Sequence, residues 1–141
     1  MDVEVPSATK TRPSAKIRRT PEFIETKRGK GGEKIIAIGD LHGDILQLLS
    51  ILITANLIER EKKAFCISEN DYDVNNWKWI GKKTKLVQMG DIFDGKRGDD
   101  DVFKDNEVEI YNFLVGLKHK ARKQKGNVFI LVGNHELMNF N

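Results

Sequence analysis

The sequence predicts an α/β fold in which strands and helices alternate along the chain. Three short apolar runs, at residues 35–38, 85–89 and 128–132, have the length and composition of buried strands. Two longer segments, beginning near Ile45 and Val108, repeat apolar residues at helical spacing. The predicted order is strand, helix, strand, helix, strand, an arrangement that binds ligands at the carboxyl ends of its strands.

The composition restricts the class of protein. The chain has 141 residues, a net charge of +3 and 39% hydrophobic residues, which fits one domain of ordinary size, or part of a larger one, with a moderate core. So small a charge does not imply a nucleic-acid partner. The apolar stretch 45–58 is interrupted by polar residues and is too short for a bilayer, which needs about 20 residues.

The expected location is inside the cell, in the cytoplasm. The N-terminus carries Asp2 and Glu4 and lacks the apolar core of a signal peptide. The single cysteine, Cys66, cannot form an internal disulfide and agrees with a reducing compartment.

Residues 1–33 are expected to form a flexible basic tail, and residues 34–141 to form the folded domain. The tail holds all three prolines of the chain and few large apolar side chains, so it buries too little surface to offset its ordering entropy. A targeting or docking segment around Lys16–Arg19 is an alternative to a merely solvated tail, which we favour.

The first strand and helix have clear local signals. The run Ile35–Ile38 suits a strand buried on both faces. Asp44 occupies the position of a helix cap, and Asn56 can end that helix in the left-handed conformation. The apolar face of this helix comprises Ile45, Leu48, Leu49, Leu52 and Ile53.

The middle of the chain is expected to contain a loop and a hairpin. Residues 59–76 are polar and rich in turn signals. Residues 77–80, 81–84 and 85–89 resemble a short hairpin that leads into a second central strand. Its alternating tryptophans could form an aromatic binding platform, but the more ordinary explanation is that one of the pair faces the core.

The second helix is predicted from apolar residues at helical spacing, followed by the basic residues 118–125 and by Gly126 as a stop signal. The lysines and arginines of this stretch complement the helix dipole and need no nucleic-acid ligand. His119, which lies among them and away from any strand end, is expected to be a surface residue. The apolar residues are Val108, Tyr111, Phe113, Leu114 and Leu117.

Three short motifs carry the chemistry, each directly after a predicted strand: Gly39-Asp40-Leu41-His42-Gly43, Gly90-Asp91-Ile92-Phe93-Asp94 and Gly133-Asn134-His135-Glu136. Two divalent cations about 3.5–4 Å apart need a bridging carboxylate and further oxygen or imidazole ligands. Asp91 is the natural bridge. Asp40 and His42, two positions apart, can point the same way toward one metal, and Asn134 offers a neutral oxygen to the other.

The remaining residues of these motifs suggest proton transfer. His135 could donate a proton to a leaving alkoxide, and Asp94 could hold its imidazole in the right tautomer. A glycine precedes each of Asp40, Asp91 and Asn134, which permits a tight turn between strand and loop.

In this order, the three motifs resemble those of the calcineurin-like metallophosphoesterase family, in particular its protein-phosphatase-like branch. The resemblance implies the N-terminal half of a β-sandwich flanked by helices. It implies Asp40 and His42 as ligands of a first metal, Asp91 as the bridge and Asn134 as a ligand of a second metal. Family members hydrolyse phosphoesters by in-line attack of a metal-bridging water, with manganese, iron or zinc pairs, on a phosphorylated protein or nucleotide.

The resemblance also implies the other site residues. His135 matches the proton donor of the family, and Asp94 matches the acid that pairs with it. Arg97 is the expected phosphate-binding arginine, together with Asn134 and His135, although the family arginine directly follows the acid and Arg97 is displaced by two positions.

The family supplies further metal-binding histidines downstream, and the sequence ends before them. We therefore expect the chain to hold at most one metal well, and its enzymatic activity to be incomplete or absent. Half of a sandwich would leave apolar faces uncovered, which predicts low stability, self-association or pairing with a carboxyl-terminal half. The alternative function is a non-catalytic module that binds phosphate or a partner chain.

Overall fold

A computed structural model of the chain describes residues 23–26, 33–62, 72–94 and 106–139. In chain order its elements are β1 (Phe23–Thr26), β2 (Ile35–Ile38), α1 (Ile45–Thr54), β3 (Ile58–Arg60), β4 (Trp77–Trp79), β5 (Lys85–Gln88), α2 (Glu107–Arg122), β6 (Asn127–Ile130) and α3 (Asn134–Asn139), with one 3-10 turn at Val74–Asn76. The main sheet has the strand order β1-β2-β5-β6, in which β2, β5 and β6 are parallel and β1 is antiparallel. The predicted mixed α/β fold class is confirmed.

The core lies on one face of this sheet. Ile36, Leu86 and Val128 form one row across the three parallel strands and are fully buried, together with the apolar faces of α1 and α2. On the other face, Ile35 and Phe129 are each 40% exposed. The prediction that β2 is buried on both faces is therefore wrong for the described residues, where only one face is covered by helices.

Local sequence signals account for α1. The Asp44 side chain caps the helix by accepting a hydrogen bond from the backbone N–H of Gln47 (2.9 Å). Asn56 follows the helix with φ of 54°, so the predicted left-handed ending is confirmed. The buried stripe of the helix comprises Ile45, Leu48, Leu49, Ile51 and Leu52.

The second predicted helix is present, with a different buried stripe. Val108 is 62% and Tyr111 47% exposed, because they lie off the i, i+3, i+4 stripe that faces the sheet. Lys125, rather than Gly126, takes the left-handed conformation after this helix, with φ of 64°. The stripe that packs in the core comprises Ile110, Phe113, Leu114, Leu117 and Ala121. His119 is exposed, as expected.

The predicted hairpin of residues 77–80 and 85–89 is wrong. β5 lies between β2 and β6, so the predicted second central strand is confirmed. β4, however, pairs antiparallel with β3 in a separate two-stranded sheet. The reason is that Trp77 and Trp79, which are 1% and 2% exposed, pack into the core beside α2. The β3 strand, which begins at Ile58, also overlaps the start of the segment predicted to be a loop. The core packing of the tryptophans is confirmed, but both of them are buried rather than one.

Strand β1 lies within the segment predicted to be a tail. Its pairing with β2, from Phe23 opposite Ile38 to Thr26 opposite Ile35, satisfies backbone groups along the edge of β2. The rest of the predicted tail lies outside the described residues. Within the described parts of the chain, no helix combines the length and the apolar character that crossing a bilayer requires.

Candidate metal centre

The three sequence motifs meet at one edge of the main sheet. Because β2, β5 and β6 run parallel, their carboxyl ends lie side by side, and the loops after them are neighbours. The first loop carries Asp40 and His42, the second carries Asp91 and Asp94, and the third leads directly into α3.

Backbone hydrogen bonds join the first two loops. The carbonyl oxygen of Asp91 accepts from the backbone N–H groups of Leu41 and His42, each at 3.0 Å. The N–H of Gly43 donates to the carbonyl of Ile92 at 2.8 Å. The backbone therefore fixes the spacing between the motif of Asp40 and the motif of Asp91 without using their side chains.

A buried glutamine reinforces this junction. Gln88, the last residue of β5, is fully buried, and its amide donates to the carbonyl oxygens of Gly90 (2.6 Å) and Gly39 (3.3 Å). Its own side-chain oxygen accepts from the N–H of Gly90 at 2.8 Å. One side chain thus ties together the residues that precede Asp40 and Asp91.

Three side chains converge at the sheet edge. His42, Asp91 and His135 each offer a ligand atom, and these atoms all lie within 4.8 Å of one another. The two imidazole rings meet edge to face, with centroids 4.9 Å apart and an interplanar angle of 86°. Imidazole and carboxylate ligands at this spacing make a possible site for a divalent cation.

The tautomer of His42 suits this arrangement. Its Nδ1 lies 2.9 Å from the carbonyl oxygen of Phe93, and since a carbonyl only accepts, Nδ1 carries the hydrogen. The lone pair is then on Nε2, which lies 3.6 Å from Oδ2 of Asp40. A backbone partner that orients a ligating imidazole in this way is typical of protein metal sites.

Asn134 lies directly against Asp91. One terminal atom of its amide is 3.2 Å from Oδ1 and 3.1 Å from Oδ2 of the carboxylate. If that atom is the amide nitrogen, it donates a hydrogen bond to both carboxylate oxygens. If it is the amide oxygen, three oxygens face one another, and a cation between them would stabilise this arrangement. The set of His42, Asp40, Asp91 and Asn134 therefore offers imidazole, carboxylate and amide donors of the kind that divalent cations bind.

His135 has an orienting partner of its own. Its Nδ1 lies 2.9 Å from Oδ2 of Asp94, and its backbone N–H donates to Oδ1 of Asp91 at 3.0 Å. The carboxylate of Asp94 accepts the Nδ1 hydrogen and so orients the imidazole ring. A histidine oriented in this way can transfer a proton through its other ring nitrogen, Nε2.

The loop after β5 is backbone-strained. Asp91 and Asp94 have φ of 55° and 62°, the left-handed region that costs most side chains roughly 1–2 kcal/mol per residue. Gly90, with φ of 96°, lies so close to Gly133 that a side chain at either residue would collide with the neighbouring loop. The predicted need for glycine holds at these two positions, whereas at Gly39 a side chain would meet open space.

Glu136 holds the strained loop in place through hydrogen bonds from the backbone of that loop. It is 5% exposed, and its carboxylate accepts hydrogen bonds from four backbone N–H groups, those of Phe93, Asp91, Gly133 and Ile92. Burial alone would raise the pKa of the Glu136 carboxyl, but the four bonds outweigh it, so the pKa lies below the ordinary value. Glu136 is therefore ionised at neutral pH.

The sequence model of calcineurin-like phosphoesterases matches residues 33–141 of the chain. The chain belongs to the calcineurin-like phosphoesterase family. The expected family is thereby confirmed, and membership in this family implies divalent metals at the edge where the three motifs meet.

Individual relatives agree with this assignment. Shewanella-like protein phosphatase 1 of Plasmodium berghei is 42% identical over 111 residues, which are 78% of this chain and 24% of that protein. Shewanella-like protein phosphatase 2 of Arabidopsis thaliana is 33% identical over 118 residues, 84% of this chain and 24% of that protein. The chain thus spans about a quarter of the length of these curated relatives.

A solved structure shares the fold. The crystal structure of a cold-active protein-tyrosine phosphatase of a psychrophilic Shewanella species superposes with a TM-score of 0.51 at 27% identity. The superposition covers 74% of this chain and 24% of the phosphatase. The chain therefore has the fold of part of a metallophosphoesterase-type domain.

Most of the predicted site residues of this phosphoesterase chain lie together. The structure brings the imidazole of His42 and the carboxylate of Asp91 within reach of each other, with Asp40 beside the first and Asn134 beside the second. His135, predicted as a proton donor and not as a ligand, lies within the same cluster. Arg97 lies outside the described residues.

Sequence reasoning missed two buried residues at this site. Glu136 belongs to a recognised motif but received no role, and Gln88 was interpreted only as part of a strand. A polar residue at a position that the strand pattern assigns to the core was the available signal for Gln88. For Glu136 the signal was a carboxylate directly after two expected site residues.

Proposed function

We propose that the chain forms the metal-binding part of a phosphatase site that hydrolyses phosphate monoesters. The observation that carries this proposal is the convergence of His42, Asp91 and His135 within 4.8 Å, with His135 hydrogen-bonded to Asp94. A histidine that is oriented by a carboxylate and lies beside possible metal ligands suits phosphoryl transfer better than the mere storage of a cation.

Four side chains would hold divalent metal in this proposal. His42 through Nε2 and Asp40 through its carboxylate would bind a first cation, Asp91 would bridge, and Asn134 would bind a second through its amide oxygen. When bound, such cations lower the pKa of water and neutralise charge on phosphoryl oxygens. Manganese, iron and zinc all suit these ligands, and four protein ligands shared between two cations favour one well-held ion.

The chain's own residues then provide proton transfer and orientation. His135 would hold a proton at Nε2 and give it to the leaving alkoxide, while Asp94 accepts the Nδ1 hydrogen and keeps the ring in position. Asn134 and His135 would also contact the phosphate. Arg97 is proposed as a further phosphate contact, because a guanidinium can bind two phosphate oxygens at once.

A phosphoprotein is the proposed substrate. The relatives at 42% and 33% identity are both named protein phosphatases, and the structural neighbour is titled a protein-tyrosine phosphatase. A nucleotide is the alternative substrate. With either substrate, the proposed location of the protein is inside the cell.

The test is manganese-supported hydrolysis of p-nitrophenyl phosphate by the chain and by Asp91→Asn. Asp73→Asn is a matched control, since Asp73 is an exposed residue that caps the 3-10 turn in another part of the fold. We expect Asp91→Asn to lose at least about 100-fold in rate, because even the outer partners of metal ligands contribute 10–100-fold, and Asp73→Asn to match the wild type. Equal rates for Asp91→Asn and wild type would exclude catalysis by this site.

Exposed apolar surface favours a second candidate, a module that binds a partner chain. Besides Ile35 and Phe129, five apolar side chains that follow the carboxyl ends of β5 and β6 are exposed: Met89 52%, Leu131 45%, Val132 60%, Leu137 57% and Met138 60%. Exposed apolar side chains that gather on a protein surface are typical of interaction sites. Light scattering tests it: a dimer that dissociates in Val132→Lys would support it, and a monomer at all concentrations would exclude self-association.

A further inference from the structure

Glu136 is the only charged side chain that is buried among the residues that the structure describes. Burying a charge without partners is costly, so its surroundings must compensate. No ligand role in the proposed function accounts for it, since each of its oxygens is already occupied by two backbone N–H groups.

The hydrogen bonds of Glu136 define what it holds. Oε1 accepts from Ile92 (2.6 Å) and Phe93 (3.1 Å), and Oε2 accepts from Asp91 (2.8 Å) and Gly133 (2.7 Å). Three of these donors are successive residues of the loop after β5. The fourth belongs to the loop after β6, so one carboxylate joins both loops.

Successive backbone N–H groups that point to one place form a concave anion-binding nest. In this loop the nest is filled by a carboxylate of the same chain. The left-handed conformation of Asp91 is unfavourable by itself and persists only where neighbouring groups determine it. An anion that accepts hydrogen bonds from the backbone N–H groups of Asp91, Ile92 and Phe93 holds the loop in this conformation.

The residues of the nest also carry groups of the candidate metal centre. The carboxylate of Asp91 lies beside the imidazole of His42, and the carbonyl oxygen of Phe93, two residues further on, accepts the Nδ1 hydrogen of His42. Asp94, the next residue, accepts from His135. A movement of this loop would therefore displace the Asp91 carboxylate and the Phe93 carbonyl that fixes the tautomer of His42. It would also shift Asp94, the hydrogen-bond partner of His135.

We propose that Glu136 is a positioning residue: it is the resident anion of the 91–93 nest, and it sets the affinity of the centre for divalent cations without touching them. This inference rests on the proposed metal site. It predicts that removing the carboxylate weakens cation binding although every ligand remains, and that a small free carboxylate restores it.

The experiment measures the Kd of Mn²⁺ by isothermal titration calorimetry for the full chain and three variants. Glu136→Ala removes the carboxylate, and Glu136→Gln keeps the shape with one acceptor oxygen. Glu109→Ala removes a carboxylate from α2 as a matched control. We expect the Kd to rise about 10–100-fold in Glu136→Ala, less in Glu136→Gln, and not at all in Glu109→Ala.

Acetate provides the second measurement. Added to Glu136→Ala, it should lower the Kd of Mn²⁺ at least about threefold, because it can occupy the emptied nest, with no such change in wild type or Glu109→Ala. An unchanged Kd in both Glu136 variants, or a weakened Kd that acetate does not improve, would overturn the proposal.

Amide hydrogen exchange without metal keeps the inference separate from the proposed function. In Glu136→Gln we expect the amides of Asp91, Ile92 and Phe93 to exchange at least about tenfold faster, with core amides such as Leu86 unchanged. Equal exchange at these amides would overturn the proposal even if Glu136→Ala fails to fold. A wild-type chain that binds no Mn²⁺ would instead contradict the proposed metal site itself.

Discussion

The two ends of strand β5 are held in different ways. At the amino end the backbone is held by other backbone groups: Thr84 donates to Gly81 (3.0 Å), Lys85 to Lys34 (2.8 Å) and Asn127 to Thr84 (3.2 Å), and the Lys85 side chain pairs with exposed Glu33. At the carboxyl end, backbone bonds between the loops are joined by bonds from two buried side chains, Gln88 and Glu136.

Because of this difference, we expect substitutions at the amino end of β5 to change stability and substitutions at its carboxyl end to change the candidate metal centre. Backbone bonds at the amino end form with almost any side chain, so substitutions there act through packing. At the carboxyl end a few side chains determine where Asp91 and Asp94 lie, so substitutions there move the candidate metal centre. Variants of the site and of the core test whether that separation holds.

The largest expected effect at the site comes from His135→Gln. Removing the proposed proton donor should lower the rate of p-nitrophenyl phosphate hydrolysis about 10²–10⁴-fold, the usual contribution of a general acid. Steady-state assay measures the rate, and circular dichroism checks the fold. A rate within twofold of wild type would remove His135 from the chemistry.

Asp94→Asn should have a smaller effect. The amide oxygen can still accept the His135 Nδ1 hydrogen, but it carries no negative charge and orients the ring less firmly, so we expect a loss of about 10–100-fold in kcat. The Kd of Mn²⁺ should not change, since Asp94 is not a proposed ligand. If Mn²⁺ binding weakens as much as kcat falls, Asp94 acts on the metal and not on His135.

Gln88 and Thr84 compare the two ends of β5 directly. Gln88→Met leaves the buried N–H of Gly90 unpaired and should lower the free energy of unfolding by about 1–3 kcal/mol. It should also raise the Kd of Mn²⁺ by up to about tenfold, because Gly39 and Gly90 lose their common partner. Thr84→Val, also buried, should leave the Kd unchanged.

Urea unfolding and Mn²⁺ titration of the same two variants check this pair. A parallel shift of the Kd in Gln88→Met and Thr84→Val would show that cation affinity follows general stability. The proposed difference between the two ends would then be wrong.

The smallest expected effect on the site comes from Trp79→Phe. Trp79 is 2% exposed and donates from Nε1 to the carbonyl of Lys82 at 3.0 Å, so the substitution leaves a cavity and should lower the free energy of unfolding by about 1–3 kcal/mol. Mn²⁺ affinity should stay at the wild-type value. A weakened affinity in the folded variant would contradict the separation.

The sequence predicted what depends on local patterns. The apolar runs before Asp40, Asp91 and Asn134 located the parallel strands, and Asp44 and Asn56 located both ends of α1. These features are encoded by residues that are neighbours in the chain, so the amino-acid sequence alone was enough to place them.

Features that depend on distant residues were not predicted. β4 pairs with β3 instead of β5 because two tryptophans fit the core beside α2, and β1 forms because the edge of β2 accepts a partner strand. Glu136 lies 45 residues from Asp91 in sequence, so its four backbone bonds leave no local signal. The motif residues could be named from the sequence, whereas the side chains that position them could not.

The central claim is that the loops after β2 and β5 place the imidazole of His42 and the carboxylate of Asp91 on one divalent cation. Pulsed electron paramagnetic resonance of the chain with bound Mn²⁺ tests it most directly. We expect a ¹⁴N coupling from an imidazole ligand that is lost in His42→Ala and retained in His119→Ala. Bound Mn²⁺ without nitrogen coupling, or a coupling that survives His42→Ala unchanged, would contradict the account.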